Sequence, residues 1–231
     1  MHLVINTLNS ISSRYAPSRS LSFNSSHVFK TLQLINKEGF VSRFLLMKEL
    51  GLGEGSIKTL IKHLKMEKLI ITTNKGTTMS DRGRKIFEQM SHYICSEAQL
   101  PRSTISVSEF NHAILLRYVH FAIKQGVEQR DEAIKKGAKG ATTLVFKDGK
   151  FLIPGSGYNA LKEEKGIERH LKNELNPING DIIIIGSDDI NYVTAELASK
   201  SAALYTLEHH VDHEELESIT NNNTVTNIRD I

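Results

Sequence analysis

The chain has 231 residues, 39% hydrophobic and 24% charged, with one Cys. This is enough for two modest domains, and it excludes an intrachain disulfide framework. No run reaches the ~20 apolar residues of a membrane span and no signal peptide is evident, so a cytoplasmic protein with no membrane partner is expected. Net charge is +3 but uneven: residues 1–95 hold 14 Lys+Arg against 6 Asp+Glu, a net +8, and residues 96–231 hold 15 against 20, a net −5. Only the first part is then suited to a polyanion.

Residues 1–24 are Ser-rich without helical periodicity and read as an extended or partly disordered arm. Ser25 or Ser26 is placed to cap a helix carrying Val28, Phe29, Leu32 and Ile35 on one face, ended by Gly39. A short helix follows from Ser42 or Arg43 to Leu50. After the glycine-rich turn 51–55, a third helix from about Ser56 to Glu67 carries Ile57, Leu60, Ile61 and Leu64 on one stripe. Residues 69–73 and 77–79 flank Asn74-Lys75-Gly76 as a hairpin, and Ser80 is placed to cap a fourth helix, 81–94. Its face of Phe87, Met90, Tyr93 and Ile94 builds either a homodimer or the domain's own core, and both readings stand. Residues 96–108 read as a linker or an edge strand.

Beyond the linker, 111–119 reads as a strand and 129–136 as a short helix closed by Gly137. Residues 141–146 and 150–153 flank Asp148-Gly149, a hairpin signal because both residues tolerate positive φ. Four isoleucines at 182–185 mark a buried strand, and 192–209 a long helix. Residues 212–231 are polar and read as a flexible tail. The expected architecture is α+β in two domains, a winged helix-turn-helix at 25–95 and an α/β sandwich-like domain at 109–211.

The order helix, helix, turn, helix, hairpin, helix, with GLGEGSIKTLIKHLKMEKLII at 51–71 and MSDRGRKIF at 79–87, resembles prokaryotic winged-helix regulators. With the apolar stripe of the third helix inward, Ser56, Lys58, Thr59, Lys62, His63 and Lys65 are expected on its flanks and outer face. There they suit phosphates and base edges of double-stranded DNA. Lys75 at the hairpin tip and Arg43 at the second helix start would reach flanking phosphates. The bland alternative is a solvated lysine face, or a winged helix that binds protein.

The whole chain resembles archaeal predicted transcriptional regulators with an uncharacterised carboxy-terminal domain, through segments 129–154 and 180–204. That resemblance carries no activity with it. Three segments of the second domain have the residue types of a small-ligand site: Thr142 and Thr143 entering a strand, Gly155-Ser156-Gly157 after the next strand, and Asp188-Asp189 beyond the isoleucine strand. For each, ordinary turn and cap chemistry is the simpler reading. Catalytic motifs are absent: there is no phosphate loop, dinucleotide fingerprint, H-E-x-x-H or G-x-S-x-G. His209, His210 and His213 lack metal-site companions, and Cys95 lacks a base, so no catalytic residue, metal or cofactor is expected. The expectation is a DNA-binding regulator with a small-molecule effector; the alternatives are an enzyme with an accessory winged helix and an interaction module.

Overall fold

The structure, a computed structural model, describes residues 2–13 and 21–209. The tail expected at 212–231, with His210 and His213, lies outside them.

Helix α1 (His2–Ser13) occupies much of what the sequence reads as an arm. Val4, Ile5, Leu8 and Ile11 are buried on one side of it. Ser, Thr and Asn, which favour caps and turns over helix interiors, separate these residues and mask the period. Packing supplies what propensity lacks, for α1 lies against later helices, and Asn9 donates to Glu208 at 3.0 Å.

Helix α2 (Ser25–Glu38) is capped one residue earlier than expected, by Asn24. The Asn24 side chain accepts from the Ser26 and His27 N–H groups, and His27 Nδ1 accepts from the Asn24 N–H at 3.2 Å. Ser42 caps α3 (Arg43–Leu50), and Gly51 ends it in a left-handed conformation, φ 65°. Helix α4 (Glu54–Met66) buries Ile57, Leu60 and Leu64. Strands β1 (Ile70–Thr73) and β2 (Gly76–Met79) form an antiparallel hairpin. Val41 adds a two-bond bridge to Thr77 on its outer side. Helix α5 (Asp81–Ser91), capped by Ser80, is shorter than expected, because Ile94 already belongs to a strand.

Of the two readings of 96–108, linker or edge strand, the edge strand holds as far as Leu100. Residues of β3 (Ile94–Leu100) form one edge of a five-stranded sheet with β4 (Phe110–Leu116), β5 (Gly140–Lys147), β6 (Lys150–Leu152) and β7 (Ile182–Asp188). The order is β3-β4-β7-β5-β6, and every neighbouring pair is antiparallel. Asp148 and Gly149 make the β5–β6 turn with φ 49° and 73°. Helices α6 (Val127–Lys135) and α8 (Tyr192–Glu208) lie on one sheet face, α7 (Lys165–Leu175) on the other. In β7, Ile182 and Ile184 join the core shared with the amino-terminal helices, while Ile183 and Ile185 meet Leu171 and Leu175 of α7. Both faces are covered, which is why the strand shows no polar alternation. No helix among the described residues is long and apolar enough to cross a membrane.

Candidate nucleic-acid interface

Burial of one stripe of α4 sets the direction of the others. Lys58, Lys62 and Lys65 are exposed, and with Arg43 from the start of α3 they line an open cleft of about 540 Å³ between α4 and the hairpin. Ile61, Met66, Thr72 and Thr77 complete its wall, so the lining combines four cationic side chains with apolar and hydroxyl groups. Lys58 is paired with Glu54 at 2.7 Å, one helical turn away on an exposed surface. A hydrogen bond from Lys58 and its charge hold the Glu54 carboxyl below its ordinary value. Such a surface pair is easily exchanged for a stronger anion. Lys75 stands exposed at the hairpin tip.

Three residues of the expected surface sit differently. His63 is a correction: it is 3% exposed, its Nδ1 lies 2.8 Å from the Ile11 carbonyl oxygen, and its ring meets Phe23 edge-on. Its flank of α4 is covered by α1, the helix hidden in the supposed arm. Ser56 and Thr59 are half-buried, and the Thr59 hydroxyl donates to the Gly55 carbonyl at 3.0 Å.

The second-domain candidates do not converge. Thr142 and Thr143 are successive strand residues on opposite sheet faces. The Thr142 hydroxyl donates to Ile105 O at 2.7 Å, while Thr143 is buried against Gly126. Around Ser156 the polar groups close on their own turn: its hydroxyl donates to Ile153 O and accepts from the Tyr158 N–H, and the Gly157 N–H donates to Ile153 O. Gly155 and Gly157, φ 77° and 67°, serve that turn. Asp188 is buried, with one oxygen accepting from the Ile190 and Asn191 N–H groups at the entry to α8. Asp189 is exposed and paired with Lys139 at 2.9 Å. These are turn and cap arrangements. Thr142 lines an open cleft with Ile153 and Tyr158, which flank the Ser156 turn, and Asp188 and Asp189 do not line that cleft. Burial raises the Cys95 thiol above its ordinary pKa, which works against a nucleophilic role.

A cluster that the sequence reading does not contain lies where α2 meets the sheet and α8. Lys200, 0% exposed, contacts Glu97 of β3 and lies 3.2 Å from Glu196. Lys30 of α2 reaches the other Glu196 oxygen at 2.7 Å. His112 of β4 places Nε2 3.5 Å from Glu97 and Nδ1 2.8 Å from the Ser199 hydroxyl, and Gln33 donates to Glu97 at 2.5 Å. Burial raises the Glu97 carboxyl pKa, but Lys200 and His112 outweigh it and hold the group well below the carboxylate range. Glu196 is likewise lowered, with Lys200, Lys30 and His112 outweighing burial. The sequence signal was Glu196 and Lys200 standing four apart among the small residues of α8.

Residues 107–207 match the model of a family described as a domain of unknown function (DUF4443). No curated protein matches the chain. A hypothetical protein from Pyrococcus horikoshii OT3 has a similar solved structure, with a TM-score of 0.67 and 22% identity over 81% of this chain and 95% of that one. At that identity the likeness is one of fold.

Proposed function

We propose that the protein is a DNA-binding regulator in which residues 25–91 form a winged helix-turn-helix. Helix α4 is the recognition element and the β1–β2 hairpin the wing. The observation that carries the reading is the convergence of Arg43, Lys58, Lys62 and Lys65 on one open cleft beside α4. Side chains on two helices face the same space, which an ordinary solvated lysine face does not require. The basic charge of residues 1–95 supports the same partner. Phe44, 76% exposed beside Arg43, adds an apolar contact for a sugar or thymine methyl. The helix carries no Arg for bidentate guanine reading, so phosphate contacts dominate affinity.

Duplex binding is expected to weaken steeply with salt, by about one unit of log–log slope per phosphate contact. With Lys58 and Lys62 both changed to Glu, affinity should fall by roughly a hundredfold or more, because two contacts become repulsions. Both side chains are exposed, so the thermal midpoint should hardly move. Fluorescence anisotropy on a labelled duplex at several salt concentrations reads both effects. A folded double variant that binds as the parent does would remove α4 from the interface.

A further inference from the structure

We propose that the cleft between α2 and the sheet binds a compact zwitterion of the α-amino-acid type. The cleft has a volume of about 440 Å³, within the range of roughly 300–1,000 Å³ common to small-molecule sites. Its walls come from both halves of the molecule: Lys30, Gln33 and Lys37 from α2, Glu97 and His112 from the sheet, Glu196 from α8.

The wall chemistry selects the occupant. Gln33 Oε1 is buried and has no hydrogen-bond partner, while the Gln33 amide nitrogen is committed to Glu97. An unmet acceptor beside two carboxylates asks for a donor, and an ammonium group supplies one. Lys37 lines the same cleft, is exposed, and has no ion pair among the described residues, so it is available to a carboxylate. A ligand carrying only negative charge would bring no donor to Gln33 Oε1 and would also meet Glu49 on the cleft wall. A divalent cation is disfavoured because it needs carboxylates that are free. The donors of Glu97, His112 and Glu196 lie within 4.8 Å of one another, but Lys30 and Lys200 already hold those carboxylates. A molecule with both signs a few ångströms apart meets both sets of groups.

An occupant touching α2 and α8 together stabilises their present arrangement. Its effect on duplex affinity rests on the regulator reading above; its binding does not. The test is thermal unfolding of the full chain with each common amino acid in turn at millimolar concentration, with zinc and manganese as separate arms, followed by titration calorimetry. At least one amino acid is expected to raise the midpoint by a few degrees. Lys37→Glu should weaken that binding tenfold or more, and Gln33→Met should reduce it with the Lys37 site intact. The inference is overturned if no amino acid shifts the midpoint, if the shift is unchanged in both variants, or if only the metals act. Duplex affinity measured on the same samples separates the two readings. Amino-acid binding without duplex binding overturns the regulator alone, and duplex binding without amino-acid binding overturns this site alone.

Discussion

A methyl group on Gly83 would stand 2.0 Å from the Leu69 carbonyl oxygen and 3.0 Å from its carbon. That carbonyl accepts from the Ser80 N–H at 3.0 Å, and the Ser80 hydroxyl in turn caps α5 by accepting from the Gly83 N–H at 3.0 Å. The first turn of α5 therefore lies directly on the entry to the hairpin, and the Ser-x-x-Gly spacing is the sequence trace of that approach. Gly83→Ala should destabilise by about 3 kcal/mol or more, at the top of the overpacking range. At Gly55 an added methyl meets open space, so Gly55→Ala is expected to stabilise by roughly 0.5–1 kcal/mol through helix propensity. Urea midpoints at constant m-value measure both, and equal small effects would deny the backbone contact. Motif residues of this kind are legible from sequence alone. His63 was not, because its place on a buried flank depends on α1 covering it, and α1 is held by packing more than by propensity.

Elements were legible where periodicity and local chemistry agree. Helix α3 and the two hairpins have their caps and turns written in adjacent residues. Helix α4, legible from its apolar stripe, has no side-chain cap at Gly53 and begins at Glu54, inside the expected glycine-rich turn. Strand β3 carries the polar residues Ser96, Glu97 and Gln99 and sits at a sheet edge, so it shows no apolar run. Helix α7 sets Ile167, Leu171 and Leu175 four apart among Gly166 and seven polar or charged residues, a stripe too narrow to mark it. Long-range pairs then join the strands. Arg117, just past β4, donates to both oxygens of Asp181, just before β7, with its shortest bond at 2.8 Å. Asp181 is 1% exposed and also accepts from the Ile178 N–H. Arg117→Ala should cost about 3 kcal/mol, because it strands a buried carboxylate. Adding Asp181→Asn should cost less in that background than in the parent, and a double-mutant cycle measures the difference. Strict additivity would show that the two side chains do not act as a pair.

At the scale of the whole molecule, the charge division between the halves was visible in composition, but their junction was not. Lys200 meets Glu97 across 103 residues of sequence and Lys30 meets Glu196 across 166, distances at which no local pattern survives. The apolar core is also continuous, running from Val4 in α1 through Leu116 and Ile184 in the sheet to Leu207 in α8. The two halves are therefore expected to unfold together. His27 makes that unit sensitive to pH. Burial, then the charges of Lys30 in the first half and Lys136 in the second, lower its pKa from 6.5 to about 4. Between those values the unfolded chain binds a proton that the folded chain refuses, so stability falls as pH drops from about 6.5 to about 4, by up to about 3 kcal/mol. Glu97 and Glu196 have lowered values, so their contribution is lost only at more acidic pH, below the ordinary carboxylate value of 4.5. His27→Gln keeps an acceptor for the Asn24 N–H in the capping box and cannot titrate. Its urea midpoint should stay flat from pH 6.5 to about 4.5 while the parent's declines, and parallel curves would assign the decline to other groups.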